Sequence, residues 1–470
     1  MAEILKPDLC VIGTDPGGLS AAMAATALGR PAVLVENGMP AARHGIAALR
    51  AFVSAGQRVH DMREAEAFGI AAQRIAVDFA AVHDHVQAVL AGLARDATMT
   101  RLQGLGIRVV TGPARFTDAE TLVAGGLVIK ARRFVIATGA AFIGPDIEGL
   151  TDTPHFTVDS IFDLRVCPRH LVVIGAGSEG LALAQAFRRL GASVTVLDPT
   201  GVFAAEDPEC AAIVLDQLER EGIFVRSGVT IARISRARSK ISVVLSTPEE
   251  EETIEGSHLL VAARQRANID GLDLDKAGIR YEPGAIAVDQ RLATTNSRVH
   301  ALGAVAGAYM SGWPADHQAN LVVRNALLRM PVKWRPEILP RVTFTDPELA
   351  QVGLTEAQAR GKGRVNIARW SYRDNGRAWA ERRRHGHVKI VVDPKGRVLG
   401  VTMVGPQAGE MIGLWSLVIK EGLGLAALND LTLPHPTFSE IGREAALNHL
   451  AAGLTSGKGR SIIQWLRRIG

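Results

Sequence analysis

Residues 8–36 read DLCVIGTDPGGLSAAMAATALGRPAVLVE, and the reading of this stretch decides the fold. An apolar run, Leu9 to Ile12, enters a Gly/Pro turn; an Ala-rich run follows, and a second apolar run, Ala32 to Val35, ends at Glu36. The pattern predicts a strand, a tight turn, a helix and a second parallel strand closing on an acid. A helix opened by such a turn presents free backbone N–H groups and the positive end of its dipole to a phosphate. Glu36, about 20 residues past the first glycine, stands where a carboxylate accepts a ribose hydroxyl. Gly13 and Gly18 are the outer glycines of G-x-G-x-x-G, but the middle position is Asp15. A carboxylate there approaches the ground that a pyrophosphate needs.

The unit recurs. LVVIGAGSEGLALAQAF (171–187), followed by GASVTVLD (191–198), carries an intact G-x-G-x-x-G at Gly175, Gly177 and Gly180. It follows a strand pattern from Leu171 to Ile174, opens a helix and reaches Asp198 after the next strand. A lone glycine motif is weak evidence, whereas one in full strand–turn–helix–strand–acid context is strong. Gly13 and Gly175 are counterparts, so the chain contains a dinucleotide-binding unit twice. Asp198 favours NAD over NADP, because an acid holds a free 2′-hydroxyl and repels a 2′-phosphate.

Around these units the pattern predicts a helix from about Ile46 and a long helix over Val77 to Asp96. Short strands are expected in IRVVTGPARF (107–116) and TLVAGGLVIKARRFVIATG (121–139). Thr138 and Gly139 end the last of them, where small residues admit a ligand. PEEEETIEG (248–256) reads as a solvated acidic hairpin tip. From about Val342 alternating strands such as HVKIVVD and VLGVTMVG mix with helices, an α+β pattern without a nucleotide turn and a natural dimerisation module. The expected fold class is therefore α/β, two Rossmann-like dinucleotide-binding domains plus a C-terminal α+β interface domain. Its segments are 1–149, 150–267, 268–335, 336–455 and a basic tail, 456–470.

A chain of 470 residues exceeds one ordinary core and implies two to four domains. Hydrophobic residues make up 47% and charged ones 21%, the balance of a well-buried soluble protein. Cys10, Cys167 and Cys210 are too scattered for a disulfide framework or a zinc site, and no metal is expected. No run of 18 apolar residues occurs, and the first strand starts too early for a signal peptide, which leaves the cytoplasm as the default location. The net charge of +5 gathers in Arg382–Arg384 and the tail without interleaved aromatics, a solvated basic face rather than a nucleic-acid surface. In the tail, Ile462, Leu466 and Ile469 form a stripe with Trp465 beside it and Arg460, Arg467 and Arg468 around it. Such a helix docks on the protein body or lies on an anionic membrane surface.

Several separate motifs together resemble the two-dinucleotide-fold flavoprotein disulfide reductases, the family of dihydrolipoamide dehydrogenase, glutathione reductase and mercuric reductase. They are VIGTDPGG (11–18), GPARF (112–116), FVIATG (134–139), VIGAGSEG (173–180), ATTNSRVHALGAVAG (293–307), VTFTDPELAQVGLTEAQA (342–359) and LPHPTFSE (433–440). The resemblance spans nearly the whole chain. It implies FAD at the first unit, held around Gly13, Asp15, Gly18, Glu36, Ala114, Thr138, Gly139, Gly303 and Ala304. NADH is implied at the second, around Gly175, Gly177, Gly180 and Asp198, and a homodimer through the C-terminal domain. His435, with Glu440 five residues on, matches the pair that serves the partner subunit's active site as acid/base in the family. The flanking Pro434 and Pro436 hold that histidine rigidly; Thr437-x-x-Glu440 also reads as a capping box opening the next helix.

The departures from the family pattern bear on function. The family's redox-active C-x-x-x-x-C falls on Pro40 and Gly45, and no cysteine lies between Cys10 and Cys167. Its Lys–Glu pair near the flavin falls on Ala48 or Leu49 and on Ala182. Disulfide and mercuric chemistry need thiolates, so neither is expected. Asp15, and Ala304 in place of an aspartate that bonds the flavin side chain, weaken FAD; the first through roughly 1 to 4 kcal/mol of repulsion, the second through roughly 1.5 to 3 kcal/mol of lost hydrogen bonding. Two functions follow: an FAD-dependent NADH oxidoreductase serving a small non-disulfide acceptor such as a quinone, or a non-catalytic dimeric relative that binds NAD(H) or nothing and acts through a partner protein.

Overall fold

The computed structural model describes residues 3–38, 45–71, 75–94, 99–142, 144–238, 240–246, 251–262, 265–282, 284–307, 313–455, 464 and 467. The first unit is a five-stranded parallel sheet. Its order is Val299–Ala301, Arg133–Ile136, Leu9–Ile12, Ala32–Glu36 and Arg108–Thr111. Leu9, Cys10, Val11 and Ile12 are wholly buried, because layers cover both faces of a parallel sheet. The helix Pro16–Ala27 packs between this sheet and the helix Trp313–Leu328, and its buried positions Gly17, Gly18, Ala21, Ala22 and Ala25 are small residues that let neighbouring elements approach closely.

The second unit repeats this plan with the order Phe156–Thr157, His258–Val261, His170–Ile174, Ser193–Asp198 and Ile223–Ser227, again parallel. The repeat extends to backbone detail. Gly13 and Gly175 adopt φ +105° and +104°, and a Cβ on Gly18 or Gly180 would come within 2.5 Å of the Gly13 carbonyl oxygen or 2.3 Å of the Gly175 carbonyl oxygen. Only glycine meets both demands.

The third unit is an antiparallel sheet, ordered Arg341–Thr343, Glu348–Gly353, Val398–Gly405, His387–Val392 and Asn366–Ser371, with the helices Ala408–Lys420 and Glu440–Thr455 packed against it. Buried ion pairs tie it to the second unit. Arg189 donates to Glu221 at 2.7 and 2.8 Å, to Asp346 at 3.1 Å and to Gln57 of the helix Gly45–Glu64 at 2.5 Å, so one guanidinium joins all three units. Lys389 likewise meets Asp207, Glu209 and Glu356 at 2.8, 3.0 and 2.7 Å.

The helices expected from Ile46 and over Val77 to Asp96 run Gly45–Glu64 and Phe79–Ala94. One expectation needs correction. Glu251–Gly256 is not part of a hairpin tip but a strand paired with Lys240–Ser246, whose outward carboxylates meet Arg233, Arg226 and Lys240. Glu251, Thr253 and Glu255 share its exposed face while Glu252, Ile254 and Gly256 are more covered, a period of two that the density of charge obscured. Pro40, residues 248–250 of the acidic stretch, the stripe Ile462, Trp465, Leu466 and Ile469, and Arg460 and Arg468 beside it lie outside the described residues. Among the described residues no helix is long and apolar enough to cross a membrane, and no cluster of metal-ligating side chains occurs.

Candidate active site

At the first turn Asp15 is the N-cap of the helix Pro16–Ala27, and its Oδ1 accepts the Gly18 amide at 2.8 Å. Pro16, at the first helical position, has no N–H to offer. Asp15 is only 8% exposed. Desolvation pushes its carboxyl up to about 7; the Gly18 and Gly17 amides oppose the rise, and the charge of Asp316 adds to it. Asp316 comes from the helix Trp313–Leu328 and accepts a hydrogen bond from Ser20 at 2.5 Å. Glu36, partly exposed at its strand end, accepts from the Thr111 hydroxyl at 3.2 Å and keeps room for a further donor.

The second turn is open where the first is closed. Gly177 is the N-cap of the helix Ser178–Leu190 and has no side chain to occupy its amides. A Cβ placed on Gly177 would meet nothing within 4 Å, so the approach is clear. Asp198 Oδ2 accepts the Ala176 amide at 2.6 Å, while Oδ1 accepts from Thr200 N, Thr200 Oγ1 and Gly201 N at 2.7, 2.8 and 2.9 Å. Against desolvation, these donors hold its carboxyl below the ordinary range. The acid read from sequence as a ribose partner therefore first braces its own turn, and Oδ2 retains one free lone-pair direction. Glu179, half-buried in the first turn of the helix Ser178–Leu190, has its carboxyl pushed up to about 7 by desolvation.

Of the other residues expected at the first site, Gly139 and Gly303 lie against Asp15, and Thr138 and Ala114 do not. Gly139 lies close by, a Cβ on it falling 3.8 Å from Asp15 Cβ, and a Cβ on Gly303 would sit 3.0 Å from Asp15 Oδ2. Gly303 also donates its amide to Gln318 Oε1 at 2.6 Å, and Ala304 follows in the same short turn. Thr138 faces the other way and donates to Asn268 O at 2.6 Å. Ala114 is buried in a strand opposite Ala124, and its loop meets Glu36 through the Gly112 amide at 2.9 Å.

The place of the family's Lys–Glu pair is a closed apolar seam. Ala48, Leu49 and Ala182 are buried in one cluster with Phe52 and Phe187, where the helices Gly45–Glu64 and Ser178–Leu190 run side by side. At the far end of the chain, His435 Nδ1 lies 2.8 Å from Glu440 Oε1, with the imidazole largely exposed and the carboxylate mostly covered. Although desolvation opposes it, the Thr437 amide and His435 hold the Glu440 carboxyl below its usual range. The capping box is only half formed. Glu440 Oε2 accepts the Thr437 amide at 2.8 Å, but the Thr437 hydroxyl turns to the Pro434 carbonyl because the helix begins at Glu440 itself.

Residues 7–322 match the pyridine nucleotide-disulphide oxidoreductases, and residues 339–446 match the dimerisation domain of that family. The chain belongs to this family. It is similar to a mercuric reductase of Streptomyces lividans, 31% identical over 451 residues that cover 93% of this chain and 95% of the relative. A dihydrolipoyl dehydrogenase of Thermus scotoductus is 33% identical over 458 residues, covering 93% and 96%. Among solved structures, the HOCl-induced flavoprotein disulfide reductase RclA from Escherichia coli superposes with a TM-score of 0.81 at 26% identity, covering 94% and 99%. LpdA from Mycobacterium tuberculosis reaches a TM-score of 0.84 at 24% identity over 95% and 99%, a likeness of fold. Members of the family use FAD and NAD(H), and its dimerisation domain makes a homodimer the supported assembly.

The first site fits FAD in its frame: the glycine cradle, Glu36 and the Gly139 and Gly303 loops all meet at the turn. Two misfits stand against it: the charge of Asp15, which its neutral acid form removes, and Ala304, which offers no carboxylate where the family pattern has an aspartate. Sequence reasoning had singled out Asp15 but missed Asp316 and Gln318, which come from a helix with no nucleotide motif. Glu179 was legible in the G-S-E-G turn and went unremarked.

Proposed function

We propose that this chain is an NADH oxidoreductase with FAD at its first turn and a small non-disulfide acceptor, a quinone being the type that fits. The observation that carries the reading is the pairing of an open second turn with the absence of cysteine between Cys10 and Cys167. FAD, when bound, supplies the two-electron chemistry. The chain's own residues do the rest. The free amides after Gly177 bind the NADH pyrophosphate at a helix N-terminus, and Asp198 fixes the turn that presents them. The apolar seam of Ala48, Leu49 and Ala182 keeps water and charge from that side of the site. His435, oriented by Glu440, delivers a proton to the reduced acceptor across the dimer. With no thiol in the way, the face that the family's disulfide covers is left to the acceptor. The cytoplasm is the proposed location and 1–149, 150–267, 268–335 and 336–455 are the proposed segments.

One observation favours a second reading, a non-catalytic dimer that binds NAD(H): the first turn is already capped by Asp15. Anaerobic titration separates the two. Protein reconstituted with FAD and bleached by NADH, then reoxidised by a water-soluble quinone, supports the oxidoreductase. Protein that binds NADH but never acquires a flavin spectrum supports the alternative.

A further inference from the structure

The two turns are copies of one unit, yet they meet an anion differently. In the second, no side chain caps the helix, and the space over Gly177 is open. In the first, the turn is capped by a carboxylate of its own. Pro16 has no N–H, the Gly18 amide donates to Asp15 Oδ1 at 2.8 Å, and the Gly17 amide acts on the same carboxyl. Asp15 Oδ2 points toward the Gly303 loop, 3.0 Å from where a Cβ on Gly303 would lie. The side chain thus fills the space between the turn, the strand end at Gly139 and the loop at Gly303. That is the ground a pyrophosphate occupies on a dinucleotide turn.

We propose that Asp15 is a built-in anion on the pyrophosphate seat, and that FAD enters together with one proton taken up by Asp15. This rests on the reading that FAD is the cofactor of the first turn. An ionised Asp15 and a pyrophosphate compete for the same donors and repel each other. Protonation from solvent releases Asp15 from the amides, and its new O–H donates to a phosphate oxygen. The charged groups around it favour that outcome. Asp316, from the helix Trp313–Leu328, raises the carboxyl. From the strand end and the loop, Thr138, Gly139, Gly303 and Ala304 bring no charge. Among the described residues no Lys or Arg acts on Asp15. Burial already places the carboxyl at about 7, so the proton is exchanged near neutrality.

The test is FAD binding to the full chain, followed by quenching of flavin fluorescence from about pH 6 to about pH 9, with no turnover involved. The dissociation constant is expected to be level below about pH 7 and to rise about tenfold per pH unit above it. Calorimetry in buffers of different ionisation heat should register proton uptake approaching one per FAD at the alkaline end. Asp15→Asn keeps a neutral cap, and Asp15→Gly copies Gly177; both should bind FAD more tightly and with no such slope. A wild-type constant that is level throughout, or variants that keep the wild-type slope, overturns the proposal while leaving the FAD reading intact. If wild type and both variants bind NADH but take up no FAD at any pH, the FAD reading fails and the proposal falls with it.

Discussion

Moving the acid from the first turn to the second should reproduce the self-capped state there. Gly177 occupies its N-cap at φ −72°, ψ 176°, close to the φ −64°, ψ 163° of Asp15, and a side chain at Gly177 meets nothing within 4 Å. Gly177→Asp therefore introduces a carboxylate without backbone strain, in position to accept the Gly180 amide as Asp15 accepts that of Gly18. The cap itself stabilises the helix by about a few tenths of a kcal/mol over glycine. For a bound pyrophosphate the same group is a charge at roughly 4 Å, repelling by about 1 to 4 kcal/mol between aqueous and surface dielectric. At 1.4 kcal/mol per tenfold, NADH affinity falls by about fivefold to about a thousandfold. The assay is titration of NADH fluorescence at low and high salt, beside a thermal melt. Added salt should recover part of the loss, because the turn is open to solvent. Gly177→Asn, a cap of the same shape without the charge, should lose less. A folded Gly177→Asp protein that melts no lower than wild type and binds NADH unchanged refutes the reasoning.

His435→Gln should leave NADH affinity intact and slow turnover with a quinone by about a hundredfold, and Glu440→Gln by about tenfold, both read from kcat in stopped flow; equal rates in all three proteins remove the pair from the mechanism. His300 is buried, and desolvation first, with Arg133 second, lowers its imidazole to about 4 from the ordinary 6.5. The folded state keeps it neutral while the unfolded chain protonates, so stability is intact above pH 6.5 and falls by about 3 kcal/mol as pH drops toward 4. Urea midpoints across that range, compared with a His300→Phe variant that lacks the slope, check it. Arg189→Leu leaves Glu221 and Asp346 without their buried cation and should cost about 3 to 5 kcal/mol in chemical unfolding; a loss under about 1 kcal/mol would show that water or Arg383 takes over the charge.

The doubled frame was legible because its signals are local. Apolar runs of strand length, glycines at fixed spacing and an acid at the end of the next strand all lie within one unit, and the parallel sheets followed from them. The C-terminal sheet was legible by alternation alone. What escaped was set by partners far along the chain. Asp316 reaches Ser20 across 296 residues, and Gln318 holds the Gly303 amide from a helix whose sequence carries no nucleotide motif. Spacing likewise gave the distance from Thr437 to Glu440 but not the helix start, which decides whether the threonine hydroxyl caps it.

The same limit explains why Asp15 and Asp198 changed meaning between sequence and structure. Each was read as an acid facing a ligand, and each turns its oxygens onto backbone amides of its own unit. A short carboxylate beside a helix start finds amide donors within reach before it finds anything outside, so local capping wins unless a ligand arrives to compete. For Asp198 the result is compatible with binding, because the amides it takes belong to the turn's own brace and the helix after Gly177 stays free. For Asp15 the amides are those of the helix start itself. One residue type at two places in a repeated unit thus braces the turn in one copy and caps the helix in the other, and on the function proposed above the difference lies in which N–H the carboxylate can reach.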